Sequence, residues 1–288
     1  MLKMKHNTFL ALFSMLILLV LSGCASIEKA EALHRQGEKE EALEMSISLL
    51  EDGSAKVRLR AVKLVGKIGG LEAGPALHQR LSEEDARVRR EVVRNLGRLQ
   101  YEPAIEDLAD LATEAGPDLV RALADAFRDY GKAGIDILVS RYDSPSQSSN
   151  RAAYKDLMIA IGPEIADSIS KLLKGRSFFE NRDTFDILRR IKNPRVATLI
   201  LPYLADEEVA EQVIEAMKNL GSNAVEATIT ALQKQKKSDE LLVTERLIRI
   251  LGLLKAKSGI EILLSYSQHD IDRIRDAAEN SLYQIRGF

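Results

Sequence analysis

Apolar residues recur every 31 positions along most of this chain, with one unit three residues short and the next three residues long. Five columns, at offsets 0, 4, 7, 8 and 11 from each repeat start, hold 34 apolar residues in 40 positions. These offsets share one face of an α-helix, so each unit is predicted to begin with an amphipathic first helix. The repeat starts are Val57, Val88, Leu119, Asn150, Asn181, Val209, Val243 and Ile274.

The fifth unit fits the pattern least well, because Arg189 and Lys192 occupy two of its apolar columns. Phe185, Leu188 and Ile191 lie three residues apart in the same segment. This spacing predicts a rotated apolar stripe, so the helix of this unit should still bury one face.

A turn and a second helix are predicted after each first helix. Equivalent places just past the last apolar residue hold Gly69, Gly131, Gly162, Asn193 and Gly221. Gly and Asn suit the left-handed backbone conformation that ends many helices. Proline, which is tolerated in the first turn of a helix, follows at Pro103, Pro163 and Pro194. The predicted second helices span 71–82, 102–113, 133–142, 163–174, 194–205, 223–234 and 258–268.

Composition agrees with an all-helical chain. Hydrophobic residues make up 45%, charged residues 29% and aromatic residues 5% of the 288 positions, and Trp is absent. Few β-formers and many strong helix formers favour helices over strands. Residues 24–54 are predicted to contain one further helical hairpin, within 26–51, that caps the repeats of 55–288, because the end of a solenoid must cover its core.

The Val-Arg dipeptide at the start of several first helices, the paired helices and the period near 30 resemble HEAT repeats, especially the short bacterial type also found in phycobilisome lyase subunits. The resemblance covers about residues 55–286. It implies an all-α fold, a right-handed α-solenoid of helical hairpins with a period of about 31 residues. Such repeats serve mainly as protein-interaction surfaces and only rarely as enzymes.

The first 23 residues predict a signal peptide. Lys3 and Lys5 precede an apolar run over 9–21, which is shorter than a membrane-spanning helix needs. Leu21, Ser22, Gly23 and Cys24 then resemble the lipobox of bacterial lipoproteins. The resemblance implies cleavage before Cys24 and acylation of its thiol, which would anchor the chain to a membrane. The alternative is an uncleaved anchor in which Cys24 is incidental.

Localisation follows from the same resemblance. Ala25, rather than Asp, follows the cysteine. By the Gram-negative sorting rule this favours the outer membrane, on its periplasmic side, over the inner membrane. The chain's single cysteine excludes an intramolecular disulfide.

One carboxylate per repeat recurs near the start of the second helices, and we call this set the acidic column. Its members are Glu106, Asp136, Asp167, Glu226 and Glu261, with Thr198 at the remaining position. In HEAT solenoids the second helices line the concave surface. The column is therefore a candidate binding site for a basic segment of a protein partner, although an ordinary solvated face would look the same.

Two other patterns of charge stand out. Arg58, Arg89, Arg151, Arg182 and Arg275 each follow a repeat start, and we expect them to pair with turn carboxylates between repeats, such as Asp85 and Asp272. Residues 55–100 carry 11 Lys and Arg against 5 acids. Such an excess of basic residues suits either a solvated helix face or an anionic membrane surface.

No catalytic or metal-binding set is visible in the sequence. The four histidines include no His-Glu pair, and the one cysteine is predicted to be acylated. We therefore predict a monomeric, non-enzymatic interaction scaffold without cofactor or metal. The alternatives are a HEAT-like enzyme or enzyme subunit of the bilin-lyase type and, less compatible with export and acidity, a nucleic-acid binder. The pair Phe178-Phe179 is a second candidate contact for a partner.

Overall fold

The computed structural model of the chain describes residues 26–173, 178–235 and 240–287, and within these ranges the side chains of 178–180 are excepted. Every regular element in the described ranges is a helix, so the prediction of an all-α fold is confirmed. The chain packs as two compact units, unit 1 up to Ala160 and unit 2 from Ile161. Each unit is an α-solenoid stack of helical hairpins; the right-handed sense stays a prediction.

Unit 1 contains the capping hairpin and the first repeats. Its helices are α1 over 26–36, α2 Lys39–Ser48, α3 Ala55–Ile68, α4 Ala73–His78, α5 Ala86–Arg98, α6 Ile105–Leu111, α7 Pro117–Asp143 and α8 Arg151–Ile161. The backbone of α7 is non-helical at Gly131, which divides it into two halves. The first helices of the repeats are α3, α5, the first half of α7, and α8. The second helices are α4, α6 and the second half of α7.

Unit 2 continues the alternation. Its helices are α9 Ala166–Ser170, α10 Phe178–Arg190, α11 Pro194–Ile200, α12 Ala210–Leu220, α13 Val225–Gln235, α14 Leu241–Leu253, α15 Ile260–Tyr266 and α16 Asp272–Arg286. The first helices of the repeats are α10, α12, α14 and α16, and short 3₁₀ turns extend most of the second helices. All eight predicted repeat starts lie in the first turn of a first helix or directly before it.

The apolar columns form the core. Ala61, Leu123, Tyr154 and Val213, all from the column at offset 4, are fully buried. The rotated stripe predicted for the fifth repeat is confirmed as well, because Phe185, Leu188 and Ile191 are buried. Each first helix therefore buries the face that its sequence period predicted, and the described helices include none that is long and apolar enough to cross a membrane.

Seven repeats have a turn after their first helix, and in six of them the residue in this turn has a positive φ angle. Four of these residues are the predicted glycines, but Gln100 at +50° and Lys255 at +48° occupy the same place. Asn193 is the exception, with φ of −128°. The expectation of a left-handed Asn193 is wrong, because its side chain instead accepts a hydrogen bond from the Arg195 backbone N–H at 2.8 Å and caps α11.

Lys255→Gly should raise the free energy of unfolding by about 0.5–1 kcal/mol, because glycine removes the steric penalty of a positive φ at this exposed turn. The opposite change, Gly131→Ala, should lower it by about 1 kcal/mol, although nothing lies within 4 Å of the added carbon. Urea denaturation checks both variants. Equal stability of Lys255→Gly and the parent would contradict the expectation.

Consecutive first helices approach closely at a glycine that the sequence analysis did not single out. A Cβ atom at Gly97 of α5 would lie 2.7 Å from the Cβ of Ala126 on α7, closer than side chains can pack. Gly252 on α14 is placed in the same way, 2.9 Å from the Cα of Ser281 on α16. In both pairs the glycine lies nine residues after the start of its repeat, and its partner lies seven residues after the start of the next repeat. This contact is therefore periodic too.

Candidate functional site

The lipobox residues Leu21, Ser22, Gly23 and Cys24 lie outside the described residues. Signal-peptide cleavage and acylation of Cys24 therefore stay predictions. Residue 26, two positions after Cys24 in the sequence, lies in α1.

Arg58, the arginine that follows the first repeat start, connects two turns, and we call this arrangement the clamp. Arg58 on α3 donates two hydrogen bonds to the carboxylate of Glu83, at 2.9 and 2.7 Å. Its remaining terminal nitrogen donates to the carbonyl oxygen of Asp52 at 2.8 Å. One guanidinium thus joins the turn before its own helix to the turn before the next first helix, which is the structural role predicted for it.

Glu83 is the centre of this clamp, and it is buried. Besides Arg58, the Arg80 guanidinium donates to it at 2.6 Å and the Asp85 backbone N–H at 3.0 Å. Hydrogen bonding from Arg58, above all, holds the pKa of Glu83 at about 2, against an ordinary value of 4.5. The carboxylate is therefore ionised and structural at neutral pH.

Arg89 repeats the clamp one unit later. It donates to the carbonyl oxygen of Leu81 at 3.0 Å and pairs with Glu114, the same 25-residue separation that joins Arg58 to Glu83. The expectation that Arg89 pairs with Asp85 is wrong, because Asp85 instead caps α5. The Asp85 carboxylate accepts hydrogen bonds from two backbone N–H groups in the first turn of this helix. Capping takes precedence there, since the carboxylate precedes the helix directly.

The other three arginines of this column differ. Arg275 pairs with Asp272 as expected and also donates to the carbonyl oxygen of His269 at 3.1 Å. Arg151 lies over the ring of Tyr142, 4.7 Å from its centroid, which is a cation–π contact. Arg182 is exposed. The clamp between repeats is thus a property of α3 and α5.

The acidic column lies on second helices, as predicted, but three of its members are paired with cations. Arg141 pairs with Glu106 at 2.9 Å and with Asp110 at 2.7 Å. Lys132 pairs with Asp136. Arg195 donates to Asp167 at 3.1 Å. These cations compensate the negative field of the column at each of the three positions.

The two remaining members, Glu226 on α13 and Glu261 on α15, are exposed. Neither carboxylate is in an ion pair with any described residue. Of the acidic column, these two positions therefore keep a full negative charge available to a partner. The role of the column in binding stays a prediction.

Glu226 lies in a cleft of about 700 Å³ on unit 2. Its walls come from α11 and the following turn Leu201–Ala205, from α13, and from the first half of α14. Leu201, Ala231 and Val243 are among its apolar lining residues, and Thr198 adds the non-acidic member of the second-helix column. The cleft combines apolar with polar lining residues, the usual composition of a binding site.

A smaller cleft of about 390 Å³ on unit 1 contains a pair that the sequence did not suggest. The His78 Nε2 lies 2.6 Å from a carboxylate oxygen of Asp107, and the imidazole meets the ring of Tyr101 edge-on with centroids 5.8 Å apart. His78 and Asp107 come from neighbouring second helices, 29 residues apart, so only the repeat stacking brings them together. Across the described residues no group of His, Cys and acidic side chains could hold a metal ion.

Residues 145–150 form a 3₁₀ turn before α8. Phe178 and Phe179 begin α10, but their side chains lie outside the described part of the structure. Their role as a partner contact therefore stays a prediction.

A family model described as HEAT repeats matches residues 43–128. The matched HEAT segment runs from α2 into the first half of α7 and contains both arginine clamps, which fits the resemblance found in the sequence. No curated protein shows significant similarity to the chain.

Among solved structures, this chain is similar to human deoxyhypusine hydroxylase in complex with glycerol, with 17% identity, a TM-score of 0.36, and coverage of 89% of this chain and 100% of that one. An engineered protein is 18% identical, with a TM-score of 0.31 and coverage of 90% and 81%. A structure from work on the interaction between cadherin and β-catenin is 14% identical, with a TM-score of 0.34 and coverage of 90% and 65%.

Proposed function

We propose that this chain is a non-enzymatic scaffold that binds a segment of another protein in the unit 2 cleft. The observation that carries the proposal is the composition of the cleft, in which apolar side chains lie beside a carboxylate, Glu226, that forms no ion pair with a described residue. Among the described residues, the lining contains no histidine and no cysteine. The HEAT-repeat match over 43–128 supports an interaction role.

The charges of the cleft indicate the kind of segment it would bind. Arg195 lines the cleft but is paired with Asp167, so its charge is compensated. The other charged lining residues are Lys234 and the carboxylates Glu226 and Glu240. Two carboxylates against one further lysine favour a partner that places a Lys or Arg beside an apolar side chain. An apolar anchor would supply affinity, and the ion pair would fix orientation and speed association.

The scaffold is, in the same proposal, a bacterial lipoprotein held on the periplasmic face of the outer membrane through Cys24. The resemblance of Leu21, Ser22, Gly23 and Cys24 to a lipobox supports this part. The anchor would hold the scaffold at a membrane of the cell envelope, so the partner would be another envelope protein.

Photo-crosslinking tests the cleft directly. A photoreactive residue in place of Ala227, which lines the cleft on α13, should capture one protein in stoichiometric amount from membrane extract. Adding Glu226→Lys should lower the yield of this adduct and reduce its dependence on salt, because the ion pair with the partner is replaced by repulsion.

Glu279 on α16 provides the matched control. It is exposed, belongs to the same unit and lies outside the cleft. A photoreactive residue there should give no adduct, and Glu279→Lys should leave the yield from position 227 unchanged. Equal adducts from positions 227 and 279, or a yield insensitive to Glu226→Lys, would contradict the proposed cleft.

Cys24→Ser should release the protein from membranes or leave it as an uncleaved precursor, because a hydroxyl cannot form the thioether to diacylglycerol. The intact mass of the purified protein and its partition between membrane and soluble fractions are the measurements. A mature protein with an unmodified Cys24 would refute the anchor without affecting the proposed cleft.

A further inference from the structure

A pocket of about 300 Å³ lies between the capping helix α1 and the first repeat helix α3. It is separate from the unit 2 cleft and from the pair of His78 and Asp107. Basic side chains dominate its lining, which consists of Glu31, His34, Arg35, Arg60, Lys63, Leu64 and Lys67.

Only one of the four cations in this pocket forms an ion pair with a described residue. Glu31 accepts two hydrogen bonds from the Arg60 guanidinium, at 3.0 and 2.8 Å, which locks that side chain in place. Glu31 also attracts Arg35 electrostatically, while Lys63 and Lys67 have no ion pair with any described residue. The pocket thus holds four cations against one carboxylate.

The arrangement of the two lysines on α3 is unfavourable by itself. Lys63 and Lys67 are four residues apart and therefore neighbours on one helix face, where like charges repel. Lys67 lies in the last turn of α3, where the helix dipole favours a cation. The dipole does not account for Lys63 one turn earlier, so an external anion is the better reason for the pair.

His34 also lines the pocket. Its Nδ1 atom is buried and has no hydrogen-bond partner among the described residues, so a ligand in the pocket would reach this atom only after the ring rotates.

We propose that this pocket binds a phosphate group, carried either by a soluble phosphate compound or by a phospholipid headgroup. Lysines act as point charges toward phosphate oxygens, and Arg35 adds a guanidinium to the same lining. The proposal is independent of the unit 2 cleft. A phospholipid source would fit the predicted acylation of Cys24, which precedes residue 26 of α1 by two positions in the sequence.

Calorimetric titration of inorganic phosphate into the purified protein, at fixed ionic strength, tests the shared chemistry. The parent should bind phosphate, and Lys63→Ala with Lys67→Ala should weaken binding by about tenfold, or about 1.4 kcal/mol for the two charges. Lys39→Ala with Lys56→Ala removes two exposed lysines from the same unit outside the pocket and should leave the affinity unchanged. No phosphate binding by the parent, or equal affinity in both double variants, would overturn the proposal.

Vesicles distinguish the two sources. Parent and both double variants share the same N-terminal segment, so its own membrane affinity cancels in the comparison. If only the pocket variant loses binding to phosphatidylglycerol-containing vesicles, and not to pure phosphatidylcholine vesicles, the phosphate belongs to an anionic lipid. If phosphate binding depends on the lysines but vesicle binding does not, the site takes a soluble phosphate compound.

Discussion

Glu83→Ala should lower the free energy of unfolding by about 3 kcal/mol or more, because it leaves two largely buried guanidinium groups without their carboxylate. Arg58 and Arg80 both donate to Glu83, and their side chains are only 16% and 19% exposed. The Asp85 backbone N–H loses its acceptor as well. Urea denaturation followed by circular dichroism measures the change.

Two further variants define what the clamp contributes. Glu83→Gln keeps the shape and one acceptor oxygen, so it should be destabilised less than Glu83→Ala. Glu211→Ala breaks the exposed pair with Arg249 and should change stability by under about 1 kcal/mol. If Glu83→Ala and Glu211→Ala had the same small effect, the clamp would not stabilise the stack of repeats.

The same carboxylate predicts a dependence of stability on pH. The folded pKa of Glu83, about 2, lies below its ordinary value of 4.5. Its contribution is therefore complete above pH 4.5 and is lost as the pH falls toward 2. The stability of Glu83→Gln should fall less steeply than that of the parent over this interval, and parallel curves would contradict the assigned pKa.

Gly97→Ala should lower the free energy of unfolding by about 1–3 kcal/mol, the range for an overpacked core. Its sign is opposite to the usual effect, since Ala in a helix interior is favoured over Gly by about 1 kcal/mol. The reason is the close approach of α5 and α7 at Ala126, which leaves no room for a methyl group. Thermal or urea denaturation gives the measurement.

Gly53 is the control for this substitution. A Cβ atom there would have no neighbour within 4 Å, and its φ angle is not positive. Gly53→Ala should therefore be close to neutral or slightly stabilising. A neutral Gly97→Ala would mean that α5 and α7 can separate without loss, and the glycine contact would not be a packing constraint.

The repeat allowed most of the fold to be predicted from sequence. Each unit repeats the same apolar columns, so a weak local signal, as in the fifth repeat with Phe185 and Leu188, is supported by its neighbours. The turns were less certain, because residue type is a poor guide to a positive φ. Gln100 and Lys255 adopt it where the stacking requires it, while Asn193 caps the next helix instead.

The site was less accessible from sequence for a geometric reason. The acidic column was visible as a period, but its neutralisation depends on the reach of side chains such as Arg141 and Arg195 from the following repeat. The burial of Glu83 between two arginines depends on three turns at once. Such contacts join residues 25 to 35 positions apart, and their existence follows from packing, which composition and spacing do not encode.

Hydrogen–deuterium exchange on the protein with and without its cross-linked partner tests the central claim, that the unit 2 cleft is the docking site. Slower exchange should appear in α11 and the following turn, over 194–205, and in α13, over 225–235, which form its walls. First helices away from the cleft, such as α3 and α5, should be unchanged. Protection confined to those first helices, with α11 and α13 exchanging as in the free protein, would contradict the account.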